Sequence, residues 1–169
     1  MTQRQKQRKL LAAASVGGHW IQLLRITDGL RGAGCHVDFV STNRGCARMI
    51  PSDSRFYHVR DFSRTDFWRL VPAFFDALKA VWKSRPDTVI TTGAAPGLVV
   101  ALAARCLLRR VIWIDSIANV EHLSLCGRVA SKFVTATFTQ WPELAGGRVR
   151  YAGNVLGDSP ETLCSSSHK

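Results

Sequence analysis

The sequence predicts an α/β fold, a doubly wound and mainly parallel Rossmann-like sheet. Three observations carry that prediction. Short apolar runs of strand length alternate with helical patterns from Leu10 to Tyr151, an order that gives parallel strands with helices on both faces. The first run, Leu10–Ala14, breaks through Ser15, Val16, Gly17 and Gly18 into a helical pattern at His19, as a buried strand hands over to a helix. Three strand ends carry suggestive connections, Ser15–His19, Gly93–Gly97 and Asp115–Asn119. In a doubly wound sheet all three open on the carboxyl edge, where ligands sit.

The elements follow in order. After the first glycine turn, Ile21, Leu23, Leu24, Ile26 and Leu30 mark the buried stripe of a helix, which Gly32 and Gly34 stop. His36–Ser41 alternates as a second strand, with Asp38 inside it as a local hydrogen-bonding group. Residues 42–54 read as loop, and Arg55–Val59 as a third, short strand. Asp66–Arg85 is helical, with Phe67, Val71, Phe74, Leu78 and Val81 on one stripe. Trp68, Leu70, Phe75 and Trp82 widen that stripe beyond one packed face. Three readings stay open for this helix: burial against the sheet, a subunit interface, or an aromatic edge dipping into a membrane surface between flanking cations. The membrane reading rests on Phe67, Trp68, Phe75 and Trp82. Thr88–Thr92 is a fourth strand, and a small apolar helix runs from Leu98 to about Leu108. Val111–Asp115 is a fifth strand, residues 120–131 a short helix, Phe133–Thr139 a sixth strand and Val149–Tyr151 a last one.

The 169 residues suit one domain with a core. We assign residues 9–157 to it, between a basic disordered N-terminus (1–8) and a flexible polar tail (158–169). The 46% hydrophobic content argues against disorder of the whole. Five cysteines, Cys35, Cys46, Cys106, Cys126 and Cys164, show neither a CxxC pair nor metal-ligand spacing, which fits free thiols in a reducing compartment. No metal or cofactor is expected. The longest uncharged stretch, Thr88–Ala104, is interrupted by Gly93, Pro96 and Gly97, whereas a spanning helix needs about 20 apolar residues. No transmembrane segment is expected. The net charge of +11 suits an anionic membrane surface, a phosphorylated substrate or a nucleic acid. No nucleic-acid partner is expected, because no binding motif or aromatic-studded basic sheet accompanies the charge.

The candidate residues lie at the three strand ends. The first turn is not GxGxxG and has no P-loop lysine, so it signals neither dinucleotide nor nucleoside-triphosphate binding. Gly17 and Gly18 either leave backbone N–H groups facing one point, a natural seat for an anion, or simply make a tight strand–helix connection. His19 stands where a helix N-terminus disfavours a cation, which suits an imidazole that accepts a proton as a general base. The alternative is a histidine that caps the turn or packs on Trp20. Gly93 and Gly97 either cradle an anion or simply open a helix with Pro96 in its first turn. Asp115 ends a strand where catalytic or ligand-binding acids sit, or caps the next helix with Ser116.

Four stretches together point to a family: the GGH turn at Gly17–His19, WIDS at Trp113–Ser116, LSLCGR at Leu123–Arg128 and TQWPEL at Thr139–Leu144. From about Leu10 to Gly157 the chain resembles the membrane-associated subunit of the eukaryotic UDP-GlcNAc transferase that adds the second sugar of the dolichol-linked oligosaccharide. It also resembles the bacterial exopolysaccharide and capsule counterparts of that subunit. The GGH turn is shared with other GT-B enzymes, including the lipid-II-forming transferase. The resemblance implies the N-terminal half of a GT-B glycosyltransferase. The partner would be a second subunit carrying the UDP-sugar-binding Rossmann half, and the substrate a lipid-pyrophosphate-linked sugar acceptor. The chain would sit peripherally on the cytoplasmic face of an anionic membrane. His19 and Asp115 would be catalytic, with Gly17, Gly18, Gly93, Gly97, Ser116 and Asn119 binding substrate. Two positions depart from the pattern: Asp115 stands where glutamate is expected, and Asn119 where relatives often have arginine. The anchor helix of eukaryotic members has no counterpart, which leaves the 66–85 helix and the basic N-terminus to meet the membrane. The alternatives are a non-catalytic membrane adaptor for a catalytic partner, or a stand-alone nucleotide-binding domain.

Overall fold

A computed structural model describes residues 7–62, 67–155 and 157 of the chain. The expectations for residues 1–6 and 158–169, and for the Phe67 side chain, fall outside it. Seven parallel strands form one sheet in the order β3-β2-β1-β4-β5-β6-β7. They are β1 (Lys9–Ala13), β2 (His36–Ser41), β3 (Phe56–His58), β4 (Thr88–Thr91), β5 (Arg110–Ile114), β6 (Ala136–Thr139) and β7 (Val149–Tyr151). The helices are α1 (Gly18–Gly32), α2 (Leu70–Ser84), α3 (Ala94–Cys106) and α4 (Leu125–Ala130). The doubly wound Rossmann-like fold is the one the sequence predicts. The strand order reverses between β1 and β4, which places the β1–α1 and β4–α3 turns side by side.

Alternation along the strands splits the core between the two faces. Leu10, Ala12, Val37 and Phe39 pack under α1 with Trp20 and Leu23. Leu11, Ala13, Val89, Val111 and Trp113 pack under α2 and α3. The fully buried positions of α1 are Trp20, Gln22, Leu23 and Thr27. Of the stripe read from the sequence, Leu23 is buried and Leu24 and Leu30 pack against the same core, so the stripe holds except at Ile21. Trp20 packs against Phe39 and Phe56, and Ile21 faces solvent. Ile26 and Leu30 stay half-buried and, with Ile90, Ile112, Ile114 and Phe138, wall an apolar trough of about 440 Å³ beside α1.

The larger correction concerns α2. Its buried face is Ala73, Ala77, Ala80, Val81 and Ser84, because small side chains allow α3 to approach closely. The big residues turn outward: Trp68 is 92% exposed, Phe75 63%, Trp82 62% and Val71 59%. Burial of the stripe is overturned only in part: Val81 is buried and Phe74 and Leu78 pack half-buried against the core, whereas Val71, Phe75, Trp82 and the preceding Trp68 face outward. Residues 67–69 form a 3-10 turn before the helix, and Arg44–Met49, read as loop, is a 3-10 helix capped by the Asn43 side chain. Helix α3 starts at Ala94 rather than Leu98, so Gly93–Gly97 is a helix start and not a free turn.

Asp38 is a fully buried carboxylate in β2. Its carboxylate accepts from Ser84 Oγ at 2.8 Å and the Arg55 amide at 3.1 Å, and lies 3.2 Å from Lys9 Nζ. Burial pushes the carboxyl up, but Ser84, Arg55 and Lys9 outweigh it and hold it below its ordinary value. A folded pKa below the unfolded one stabilises the fold above the unfolded value, and that stability is lost as pH falls through about 4 and below. Asp38→Asn is expected to cost roughly 2–3 kcal/mol near neutrality. It should also flatten the dependence of the melting temperature on pH in the acid range. Parallel acid profiles for the two proteins would contradict this.

Candidate active site at the carboxyl edge

The β1–α1 turn is built on Gly17, whose φ of 80° and ψ of −139° suit only glycine. Trp20 and Ile21 donate back to the Gly17 carbonyl, and no side chain caps the helix. Gly18 opens α1 on the exposed rim. The β4–α3 turn repeats the device: Gly93 has φ 113° and again no side-chain cap follows. Ala94 continues at φ 60°, an uncommon conformation for alanine.

His19 joins the two turns. Its Nδ1 lies 2.8 Å from the Thr92 carbonyl, and Thr92 Oγ1 donates to the His19 carbonyl at 2.8 Å. A carbonyl only accepts, so Nδ1 carries the proton and the neutral ring keeps a bare Nε2. The half-buried imidazole is therefore fixed in the tautomer a general base needs. Gly93 makes room for it: a Cβ there would sit 3.3 Å from His19 Cε1 and 3.4 Å from Nδ1, at a φ forbidding to side chains. Gly93→Ala should displace the ring, and if His19 serves as the base turnover should fall at least tenfold, because small misplacements of a reacting group are costly. A Gly93→Ala protein with native turnover would detach the turn from function.

Asp115 lies at the same edge but is buried and fully engaged. Oδ1 accepts from Trp113 Nε1 (3.1 Å) and Ser124 Oγ (2.6 Å), and Oδ2 from Asn119 Nδ2 (3.1 Å) and the Ser124 amide (2.8 Å). Those four donors fill the roughly four acceptor sites of a carboxylate. Ser124 in turn caps α4 through the Gly127 amide. A Cβ on Gly127 would stand 2.7 Å from Asp115 Oδ1, so this packing requires glycine. The ring of Trp113 reaches toward Gly93 beside His19, and a Cβ on Gly93 would stand 3.6 Å from its Cζ2. Asp115 thus ties the 115–124 segment to Trp113, whose ring lies with His19 against Gly93.

The other sequence candidates divide. Ser116 and Asn119 are half-buried in the turn after β5, where Ser116 Oγ accepts from the Ala118 amide. Gly97 is buried in α3, and its lack of a side chain has a packing reason, since a Cβ would lie against Thr91 Oγ1. Trp68, Phe75 and Trp82 belong to a separate surface on and just before α2. Sequence reasoning missed Thr92, Trp113 and Gln22. Buried Gln22, one turn after His19, donates to the Asp115 carbonyl at 3.1 Å and accepts from the Ile117 amide at 3.2 Å. A glutamine at i+3 from a candidate base, flanked by Ile21 and Leu23 in an amphipathic helix, was the available signal. Among the described residues no group of three or more His, Cys, Asp or Glu could hold a metal ion.

Comparison with known proteins gives three consistent findings. The family model described as "Oligosaccharide biosynthesis protein Alg14 like" matches residues 48–155. The UDP-N-acetylglucosamine transferase subunit ALG14 of Rattus norvegicus is 27% identical over 166 residues, covering 80% of this chain and 76% of the relative. The Yarrowia lipolytica subunit of that name is 35% identical over 80 residues, 43% of this chain and 37% of the relative. A Chromohalobacter salexigens UDP-N-acetylglucosamine--N-acetylmuramyl-(pentapeptide) pyrophosphoryl-undecaprenol N-acetylglucosamine transferase is 25% identical over 175 residues, 96% of this chain but 47% of that enzyme. The chain thus spans less than half the length of the Yarrowia and Chromohalobacter relatives. The crystal structure of Acinetobacter baumannii MurG superposes with a TM-score of 0.70 at 18% identity, over 96% of this chain and 50% of that one.

Proposed function

Because the chain belongs to the Alg14-like family of oligosaccharide biosynthesis proteins, we propose that it is one subunit of a two-component glycosyltransferase acting on a lipid-pyrophosphate-linked acceptor. The observation that carries this is the half-length match: nearly the whole chain aligns with about half of a one-chain transferase whose acceptor is named as a pyrophosphoryl-undecaprenol. The relatives named as transferase subunits support a second chain that brings the UDP-sugar half. This chain supplies the acceptor half-site.

The chemistry follows from the rim. The acceptor hydroxyl gives its proton to His19 Nε2, and its oxygen attacks the anomeric carbon of the UDP-sugar from the face opposite the nucleotide. The new glycosidic bond forms as the bond to the UDP oxygen breaks, with inversion. The uncapped turns at Gly17–Gly18 and Gly93 face phosphate oxygens. Asp115 acts by position: its four donors hold the Ser116–Asn119 turn and Trp113 beside His19. The cationic protein, with the aromatic face on and before α2 turned outward, rests on the cytoplasmic surface of an anionic membrane. Among the described residues no helix is long and apolar enough to cross one.

Membranes of the source cell hold both the acceptor and any partner, so they are the test system. Transfer of labelled GlcNAc from UDP-GlcNAc into an acid-labile, lipid-extractable product should vanish when the gene for this chain is deleted. It should return when the purified full chain is added. Unchanged incorporation after deletion would remove the proposal.

A further inference from the structure

On α2, Val71, Phe75 and Trp82 project outward along one stripe, and Lys79 and Lys83 run beside it one turn apart. On the lysine flank, between α2 and the edge strand β3, lies a cavity of about 250 Å³ lined by Tyr57, His58, Asp76, Lys79 and Lys83. Its single acid does not serve the lysines. Arg60 takes both Asp76 oxygens, Nε to Oδ2 at 2.7 Å and Nη2 to Oδ1 at 3.1 Å. Lys79 and Lys83 have no ion-pair partner among the described residues, although like charges one turn apart repel. His58 Nε2 donates to the Thr42 carbonyl at 3.1 Å, which leaves Nδ1 as the ring's other polar atom.

Two unpaired ammonium groups, a phenol hydroxyl and an imidazole around one hollow call for a compact anion with several acceptor oxygens. A phosphate monoester has both the charge and the oxygens; a carboxylate has a single charge and one oxygen fewer. The setting identifies its carrier. If Phe75 and Trp82 enter the membrane interface, the lysines on the same helix stand at headgroup depth, where anionic lipid phosphate lies. We propose that the cavity between β3 and α2 is a subsite for the phosphate group of a lipid headgroup, gripped by Lys79 and Lys83 with Tyr57 and His58 behind them. The lipid as source rests on the membrane-facing reading of α2; the phosphate preference does not.

The test uses the full chain and phosphatidylcholine vesicles doped with phosphatidate (a monoester) or phosphatidylglycerol (a diester), matched for surface potential. Cosedimentation should favour phosphatidate by roughly tenfold. Lys79→Gln with Lys83→Gln should abolish that preference while retaining binding to phosphatidylglycerol. Phe75→Ser with Trp82→Ser should abolish binding to both. Inorganic phosphate without lipid should shift the His58 ring resonances saturably, and the lysine variant should lose the shift. Equal loss on both vesicle types in the lysine variant would overturn the subsite, because diffuse charge attraction predicts that result. A saturable phosphate shift without vesicle binding would overturn the lipid as source and, with it, the membrane-facing reading.

Discussion

On the proposed role of His19 as general base, its replacement by alanine is expected to lower turnover by roughly 10²–10⁴-fold, the usual contribution of such a group. The fold should barely change. Loss of the ring leaves the Thr92 carbonyl without its Nδ1 donor, a cost of about 1 kcal/mol at a half-buried site, and the melting temperature should fall by a few degrees. His19→Asn separates the two roles of the ring. Its amide nitrogen can stand where Nδ1 stands and keep the bond to Thr92, but it offers no base in place of Nε2. Asparagine should therefore restore the stability lost in the alanine variant and none of the turnover. Recovery of turnover with asparagine would make the imidazole a brace between two turns and shift the chemistry to the partner.

The edge of the sheet was legible because it is written locally. A strand, a glycine turn and a helix occupy ten consecutive residues at Leu10–His19, and the same grammar recurs at Thr88–Gly93. The state of the side chains there was not legible. The His19 tautomer depends on a carbonyl 73 residues away, and the saturation of Asp115 depends on a cap at Ser124 that exists only once α4 is placed. Helix α2 failed for a different reason. Both an aromatic stripe and an alanine stripe recur there at helical spacing, and periodicity marks stripes without saying which one faces inward. Close approach to α3 selected Ala73, Ala77 and Ala80, which kept Phe74 half-buried at the margin and left Phe75 and Trp82 outside. Gly97 illustrates the same limit: it reads as part of a flexible turn but is glycine because Thr91 lies against it.

Asp115→Ala is expected to act on stability first, and the size of that effect distinguishes a positioning acid from one that handles substrate. The substitution strands the Trp113 indole N–H, the Ser124 amide and the Asn119 amide nitrogen, and it frees the hydroxyl that caps α4. Unpaired buried donors cost about 1–3 kcal/mol each. Partial access to water at the Asn119 turn lowers the sum, so a loss of roughly 3–5 kcal/mol is expected, at the upper end of single substitutions. Asp115→Asn is the sharper probe. It keeps the volume but turns one oxygen into a donor that faces a donor, at Trp113 and Ser124 or at Asn119 and the Ser124 amide. It should cost about 2 kcal/mol or more and loosen the 115–124 segment, which hydrogen exchange at the Ile117 and Ser124 amides would report. A carboxylate that oriented an acceptor hydroxyl would behave otherwise: Asp115→Asn would melt like the parent and lose turnover alone. The donors already on its oxygens argue for the first outcome, in which activity falls because the wall behind His19 has moved.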